Sequence, residues 1–211
     1  MKKYLELINK SIGAAILIGL GDYALLKLGQ PLGPVLFALG LLGVCYMGQN
    51  LFTGKCGFLF QDKIKVLDLL LILLVNLIAG YLIGLLFSFT DKQVLTNALS
   101  KVADWEFSFP FFVKGVLCGI IMYIAVFMYR KGTPLGIIFG IPLFIFCGFQ
   151  HCIANIITLG VARTIHSSII LAIIGNFVGS LLMWYFSKDV EIKKKKSIKW
   201  FFFFYKIISI V

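Results

Sequence analysis

The chain has 211 residues, of which 60% are apolar and 14% charged, and its mean hydropathy is +0.99. A soluble domain has about a quarter of its residues charged and under half apolar, so this chain has too few polar residues to cover the surface of a soluble fold. The composition excludes a soluble enzyme, a secreted disulfide scaffold and a disordered tail. It predicts a polytopic membrane protein.

The net charge is +11. In a soluble protein this excess would indicate nucleic-acid binding. Here the basic residues flank apolar segments, where they set membrane orientation, so nucleic acid is not expected as a partner. The five cysteines show no metal-ligand spacing and are interpreted as small buried hydrophobes. Neither a metal nor a cofactor is expected.

Six windows of about 20 apolar residues are long enough to cross a bilayer. The first window contains Asp22 and leads directly into the second, unlike a cleaved signal peptide. The sequence thus predicts a cytoplasmic N-terminus over residues 1–10, a six-span transmembrane domain over 11–187 and a basic, Phe-rich tail over 188–211. The windows are 11–28, 31–53, 66–89, 109–129, 134–158 and 167–187.

The orientation follows from the basic residues. With six spans, 15 of the 20 Lys and Arg residues lie on the side that holds both termini. Since basic residues favour the cytoplasmic side, we predict a multi-pass protein of the cell (inner or plasma) membrane with both termini cytoplasmic. In the tail, Lys193–Lys196 precede an apolar segment that is too short to span, and this segment is predicted to lie at the lipid interface.

The two halves of the chain align at a shift of about 100 residues. Gly48–Leu51 corresponds to Gly148–His151, and Val75–Ala79 corresponds to Gly175–Gly179. Because each half holds three windows, the halves would enter the membrane with opposite polarity. Inverted repeats of this kind occur in transporters, where interrupted helices place polar groups near the midplane. The predicted fold is an all-α membrane protein with six transmembrane helices in an inverted 3+3 repeat.

Both matched segments carry polar residues at a depth where contact with lipid is costly. Such groups have to face protein or a wet cavity, and nonhelical backbone is tolerated only there. We therefore predict that spans two and five are interrupted and that their polar breaks meet across one pore from opposite leaflets. The polar residues are Gln49, Asn50, Thr53 and Lys55 in the first segment and Gln150, His151 and Asn155 in the second.

At these residues the chain resembles the formate/nitrite transporter family of pentameric, aquaporin-like channels. The resemblance covers about residues 10–187, and the His-x-x-x-Asn segment combined with Leu-Phe-Thr is its most specific part. It implies a homopentamer in the lipid membrane that transports a small monovalent anion, of the formate, nitrite or hydrosulfide class, together with a proton. The matching segments are Gly48–Gly54, Lys114–Val126, Gly148–Asn155 and Gly175–Gly179.

The resemblance also implies roles for individual residues. His151 would be the central pore histidine, and Thr53 its hydroxyl partner on the loop that interrupts span two. Lys101 would match the lysine that draws anions toward the pore. Leu51, Phe52 and Asn155 would be further pore residues, Phe37, Leu41 and Phe144 would line an outer constriction, and Met122 would narrow the inner side.

Three positions depart from the family pattern. Gln150 and Asn50 stand where acidic residues are usual, before the pore histidine and before Leu-Phe-Thr respectively. Gly119 stands where an asparagine is usual in span four. These changes alter charge and polarity near the pore and leave open which anion is preferred.

A narrow ring of Phe and Leu opposes a bare anion because desolvation is costly, whereas a neutral weak acid crosses more easily. An imidazole with an unperturbed pKa of about 6.5 can supply or relay a proton, and basic vestibule residues raise the local anion concentration. The hypothesis is passive or proton-coupled transport in which the anion is protonated at or near His151 and crosses neutral. Channel and symporter mechanisms both remain open.

Two other functions compete with this one. A neutral-solute channel for water, ammonia or urea would have a similar architecture. An intramembrane enzyme would use Cys152 or a serine as nucleophile and His151 as base. Adjacent residues on a helix point in different directions, however, and the sequence has no Gly-x-Ser-x-Gly elbow. The chain is therefore not expected to be an enzyme.

Several polar residues have a simpler structural interpretation. Asp22 and Asp68 are expected at span ends or paired at a helix interface. Asn76 and Asn176 are expected either to cap or bridge broken helices or to serve helix packing, with packing the preferred interpretation. Small-residue pairs are expected where helices pack closely, and these are Gly80/Gly84, Gly115/Gly119, Gly136/Gly140 and Gly175/Gly179.

Overall fold

A computed structural model describes residues 2–187, and the predicted tail over 188–211, with its interfacial segment, lies outside the described residues. Within the described range the regular structure is helical, as the composition predicted. It consists of α1 (Lys2–Leu28), α2 (Leu32–Tyr46), α3 (Phe52–Lys55), a 3-10 turn (Cys56–Phe58), α4 (Val66–Phe87), α5 (Lys92–Ala103), α6 (Phe109–Arg130), α7 (Leu135–Phe146), α8 (Cys152–Val161) and α9 (Ser168–Ser187).

Four of the described helices, α1, α4, α6 and α9, are long and apolar enough to cross a membrane. They fall on the first, third, fourth and sixth predicted windows, although α1 begins at Lys2, ahead of its window. Each of the other two windows holds two shorter helices separated by nonhelical residues, 47–51 between α2 and α3 and 147–151 between α7 and α8. We call these segments the first break and the second break.

The same backbone conformation opens both breaks. Gly48 has φ of 62° and Gly148 has φ of 67°. This left-handed conformation is strained for residues with a Cβ and is available to glycine. The chain can therefore turn sharply at the ends of α2 and α7.

Close helix packing occurs both between and within the halves of the chain. Helix α4 packs on α8, and α6 packs on α9. A Cβ atom at Gly84 of α4 would lie 2.1 Å from the Ile157 carbonyl oxygen of α8, and one at Gly179 of α9 would lie 2.0 Å from the Val116 carbonyl oxygen of α6. Since these backbones nearly touch, the glycines serve packing as expected.

The short amphipathic helix α5 was not predicted from the sequence. It buries Val94, Ala98 and Val102 on one face. Asp91 caps its start by accepting a 2.7 Å hydrogen bond from the Gln93 amide. The Lys27 ammonium at the end of α1 also donates to Asp91 and lowers the pKa of that carboxyl, so this tether persists at neutral pH and is lost only in acid.

Candidate functional site

An asparagine from α4 holds the first break in place. The Asn76 Oδ1 atom accepts from the Phe52 amide at 2.8 Å. The Asn76 Nδ2 group donates to the carbonyl oxygens of Asn50 at 3.1 Å and Ser11 at 2.8 Å. Because Asn76 is fully buried, these bonds satisfy polar backbone groups that would otherwise lie unpaired.

An asparagine from α9 holds the second break in the same way. The Asn176 Oδ1 atom accepts from the Cys152 amide at 2.8 Å. Its Nδ2 group donates to the carbonyl oxygens of Gln150 at 2.7 Å and Gly115 at 2.8 Å. The partners in the two breaks follow the sequence shift of about 100 residues. Both asparagines thus accept from the amide at the start of the helix that follows each break, which matches the capping alternative and goes beyond the preferred packing role.

His151 from the second break contacts Thr53 from the first. Their side chains form a 2.8 Å hydrogen bond between Nε2 and Oγ1 across 98 residues of sequence, and both are buried. The other ring nitrogen of His151, Nδ1, accepts from the Ala154 amide at 3.1 Å and so caps α8. The structure therefore brings together the two residues that the sequence predicted as partners.

These contacts determine the tautomer of a neutral His151. The Ala154 N–H can only donate, so Nδ1 has to be the unprotonated nitrogen. The ring proton then sits on Nε2 and is donated to the Thr53 hydroxyl. Adding a second proton at Nδ1 would break the helix cap.

Aromatic rings lie beside His151. The Phe144 ring stacks on the imidazole with 5.9 Å between centroids. Phe37 meets Phe144 edge-to-face at 6.0 Å. Leu41 and Leu51 are also buried. We call Phe37, Leu41, Leu51, Thr53, Phe144 and His151 the neck.

A cavity of about 470 Å³, cavity 1, opens on one side of the neck beside the end of α1. Its wall includes Phe37, Phe144 and His151, together with Asn155 and Lys101. The structure thus places Lys101 of α5 in the wall of the same cavity as His151 of the second break.

A smaller cavity of about 110 Å³, cavity 2, opens on the other side beside the end of α6. Leu41 and Leu51 line it, as do Lys55 and Arg130. The Arg130 guanidinium is engaged by Asp62, with 2.9 Å between Nη1 and Oδ1. The neck therefore lies between two cavities that each contain a basic side chain.

The comparison with protein families decides the assignment. Residues 2–188 match the family model described as formate/nitrite transporter. The chain belongs to the formate/nitrite transporter family. It is accordingly a membrane protein of a transporter family and not an enzyme.

Individual relatives agree with this assignment. The chain is 30% identical to the uncharacterized transporter YwcJ of Bacillus subtilis, over 74% of this chain and 73% of the relative. It is 27% identical to the formate channel FocA of Haemophilus influenzae, over 58% of this chain and 50% of that protein.

Solved structures share the fold of this formate/nitrite transporter family member. One is described as a pentameric formate channel with formate bound, with a TM-score of 0.73 at 21% identity over 90% of this chain and 99% of that chain. Another, an FNT family ion channel, has a TM-score of 0.68 at 23% identity over 85% of this chain and 86% of that one.

Two of the predicted site residues, Met122 and Phe52, line neither the neck nor either of the two cavities described. Met122 of α6 is buried and lines neither cavity among the described residues. The backbone amide of Phe52 donates a hydrogen bond to Asn76 Oδ1. Gln150 and Asn50 stand where the family usually has acidic residues. The Gln150 side chain accepts a 2.9 Å hydrogen bond from Asn155 Nδ2, whereas the Asn50 backbone carbonyl accepts from Asn76.

Three charged residues at the cavities were not predicted as site residues, namely Asp22, Lys55 and Arg130. Asp22 of α1 is fully buried, lines cavity 1 and lies 3.8 Å from Lys101. It was expected at a span end or a helix interface, and its position as an acidic residue within an apolar window was the available signal. Asp68, given the same expectation, lies in the first turn of α4 and pairs with Lys3 of α1 at 2.6 Å. Lys55 was noted only as part of the first polar segment.

Proposed function

We propose that this transporter passes small monovalent weak-acid anions, of the formate, nitrite or hydrosulfide class, through the neck between its two cavities. The observation that carries the proposal is the buried contact between His151 and Thr53 in an otherwise apolar constriction. Basic side chains on both sides of the neck, Lys101 and Lys55, raise the local concentration of anions.

The chemistry of the neck favours a neutral species in transit. Phe37, Leu41, Leu51 and Phe144 cannot replace the hydration shell of a bare anion, so an anion that enters unprotonated pays a large desolvation cost. The anion therefore takes up a proton at or near His151 and crosses as the neutral acid. The Nε2–H group of His151 and the Thr53 hydroxyl are the polar groups that bind it on the way.

We further propose six transmembrane spans in an inverted 3+3 repeat over residues 11–187, with spans two and five interrupted. The matching contacts of Asn76 and Asn176 and the opposed cavities support this arrangement. The residue 1–10 segment, the 188–211 tail and cavity 2 would face the cytoplasm, because most basic residues lie at that side.

The proposed assembly is a homopentamer in the lipid bilayer. One structural neighbour is described as pentameric. Helix α4 also presents an outward apolar stripe at helical spacing, suited to lipid or to neighbouring subunits. The exposed residues of this stripe are Leu70, Leu74, Ile78 and Leu82.

Flux measurements in vesicles test the proposed substrate class. Purified protein reconstituted in liposomes is expected to raise labelled formate uptake above that of protein-free vesicles, with greater uptake when the external pH is lowered. Water permeability, measured on the same vesicles by light scattering, provides the comparison. Increased water flux without formate flux would contradict the proposal and indicate a neutral-solute channel.

A further inference from the structure

Asp22 is the acidic residue in the wall of cavity 1. Its side chain is fully buried. Thr158 of α8 donates to its Oδ2 atom at 2.9 Å. The Oδ1 atom, in contrast, has no hydrogen-bond partner among the described residues. A buried carboxylate oxygen without a partner is costly, so binding of a proton or of a hydrogen-bond donor at this atom would be favourable.

The cation nearest to this oxygen is too distant to satisfy it fully. Lys101 Nζ lies 3.8 Å from Asp22 Oδ1 and 3.4 Å from the Thr158 hydroxyl. The ammonium is partly exposed, at 33% of its side chain, and faces the same cavity. Lys101 can therefore contact the carboxylate and a solute in cavity 1.

Among the described residues, Lys101 is the charged group that pairs with Asp22 from the helices packed on α1. Helices α2, α4, α5 and α8 pack on α1. From α5 comes Lys101 and from α8 the Thr158 hydroxyl, while α2 has no charged residue. The acid of α4, Asp68, sits at the opposite end of α1, paired with Lys3. His151 lines the same cavity, and its ring is already bonded at both nitrogens.

We infer that cavity 1 binds a proton and an anion together, with the proton on Asp22 Oδ1 and the anion on the Lys101 ammonium. In the unloaded state the carboxylate and the ammonium compensate each other. When a proton adds to Oδ1, the carboxyl becomes neutral and Lys101 exchanges Asp22 for the incoming anion. The cavity carries the same net charge before and after loading, so this exchange avoids an uncompensated buried charge.

This inference rests on the proposed function and names the site at which the proton is held. By linkage, a proton on Asp22 strengthens anion binding, and a bound anion strengthens proton binding by the same factor. His151 then serves as a hydrogen-bond donor in the neck, which agrees with the use of its Nδ1 atom as the cap of α8.

The decisive variant is Asp22→Asn, which resembles a permanently protonated Asp22 in shape and charge. The half-saturating formate concentration for uptake is measured in proteoliposomes at a mildly acidic and a mildly alkaline pH. Relative to wild type, the variant is expected to bind formate equally well in acid and about fivefold or more tightly at alkaline pH. The matched control is Asp68→Asn, for which both values are expected to equal those of wild type.

At a given pH, formate and formic acid are present in the same proportion for every variant. The ratio of half-saturating formate concentrations between variant and wild type therefore reports on the protein alone. A ratio that does not change with pH, or weaker binding by Asp22→Asn, would overturn the inference while leaving formate transport intact. Absence of saturable formate flux in the wild type would instead overturn the proposed function.

A second variant keeps the test available if Asp22→Asn does not fold. Thr158→Val has a similar shape and removes the donor that stabilises the charged carboxylate. The transition between weak and tight formate binding should then move to higher pH. An unchanged transition in a folded Thr158→Val protein would contradict a proton site at Asp22.

Discussion

Leu51 and His151 occupy equivalent places in the two breaks, each as the residue before a helix. Their backbones are nearly the same, with φ and ψ of −99° and 128° for Leu51 and −101° and 114° for His151. Their side chains differ in function. His151 caps α8 and bonds to Thr53, whereas Leu51 makes no side-chain cap bond and lines cavity 2.

The positions that follow show the same contrast. Thr53 in the first half corresponds to Ile153 in the second, and Lys55 corresponds to Asn155 at the shift of 100 residues. Each half therefore supplies a different part of one polar contact and a different polar group to the cavity on its side. The backbone arrangement is the same in both halves. The chemistry proposed for transport depends on the positions at which the two halves carry different side chains.

The largest effect is expected from removing the asparagines that make the two breaks alike. Asn76→Ala and Asn176→Ala each delete three buried hydrogen bonds. Each should lower the free energy of unfolding by on the order of 3 kcal/mol, because buried backbone groups are left unpaired. Thermal unfolding of the detergent-solubilised protein measures this loss.

A milder change provides the control. Asn97→Ala removes a single bond, to the Leu26 carbonyl oxygen, and should be tolerated better than either substitution above. If only one of the variants Asn76→Ala and Asn176→Ala destabilises the protein, the two breaks are not equivalent.

The next largest effect is expected from removing the difference between Leu51 and His151. His151→Leu gives the second break the side chain of the first and removes the donor to Thr53. Formate flux should fall by about tenfold or more, because a buried hydrogen bond to the crossing solute is lost. Flux in proteoliposomes, normalised to the amount of folded protein, checks this expectation.

The control lies in the same segment. Cys147 is exposed at the start of the second break, so Cys147→Ser should leave the flux unchanged. Full formate flux in folded His151→Leu would remove His151 from the proposed mechanism.

The smallest effect concerns the cavity of the first break. Lys55 lines cavity 2 and is half-buried. Lys55→Gln retains most of the side-chain length and removes the charge, so formate access from that side should weaken by a few-fold at low ionic strength. The matched variant is Lys63→Gln, an exposed lysine in the loop before α4. Equal effects of the two substitutions would indicate general surface charge and not a specific site in cavity 2.

Much of the fold was accessible from sequence because lipid imposes long apolar segments. The windows at 66–89 and 109–129 coincide with α4 and α6 within a few residues. The breaks were predicted from polar residues at membrane depth, and the helices do end at Tyr46 and Phe146. Helix α5 was missed because it is short and amphipathic, and its apolar face is explained only by the helices on which it packs.

The candidate site was predicted only in part. His151 and Thr53 were named from the family resemblance, and the structure places their side chains in contact, while their roles in transport stay predictions. The resemblance also placed Met122 at an inner constriction, and the structure places it in the core, outside both cavities described. The proximity of Asp22 to Lys101 could not be read from the sequence, because their separation depends on how α5 lies against α1.

The composition of the sequence by itself determined a membrane protein, and the order of its apolar and polar residues located the apolar segments and the two polar breaks. These properties follow from local chemistry, since each segment must satisfy the bilayer wherever its neighbours lie. The tertiary structure alone decided which polar groups meet. A hydrogen bond or ion pair requires atoms within a few ångströms, and only the packing of helices from both halves brings Thr53 to His151 and Lys101 to Asp22.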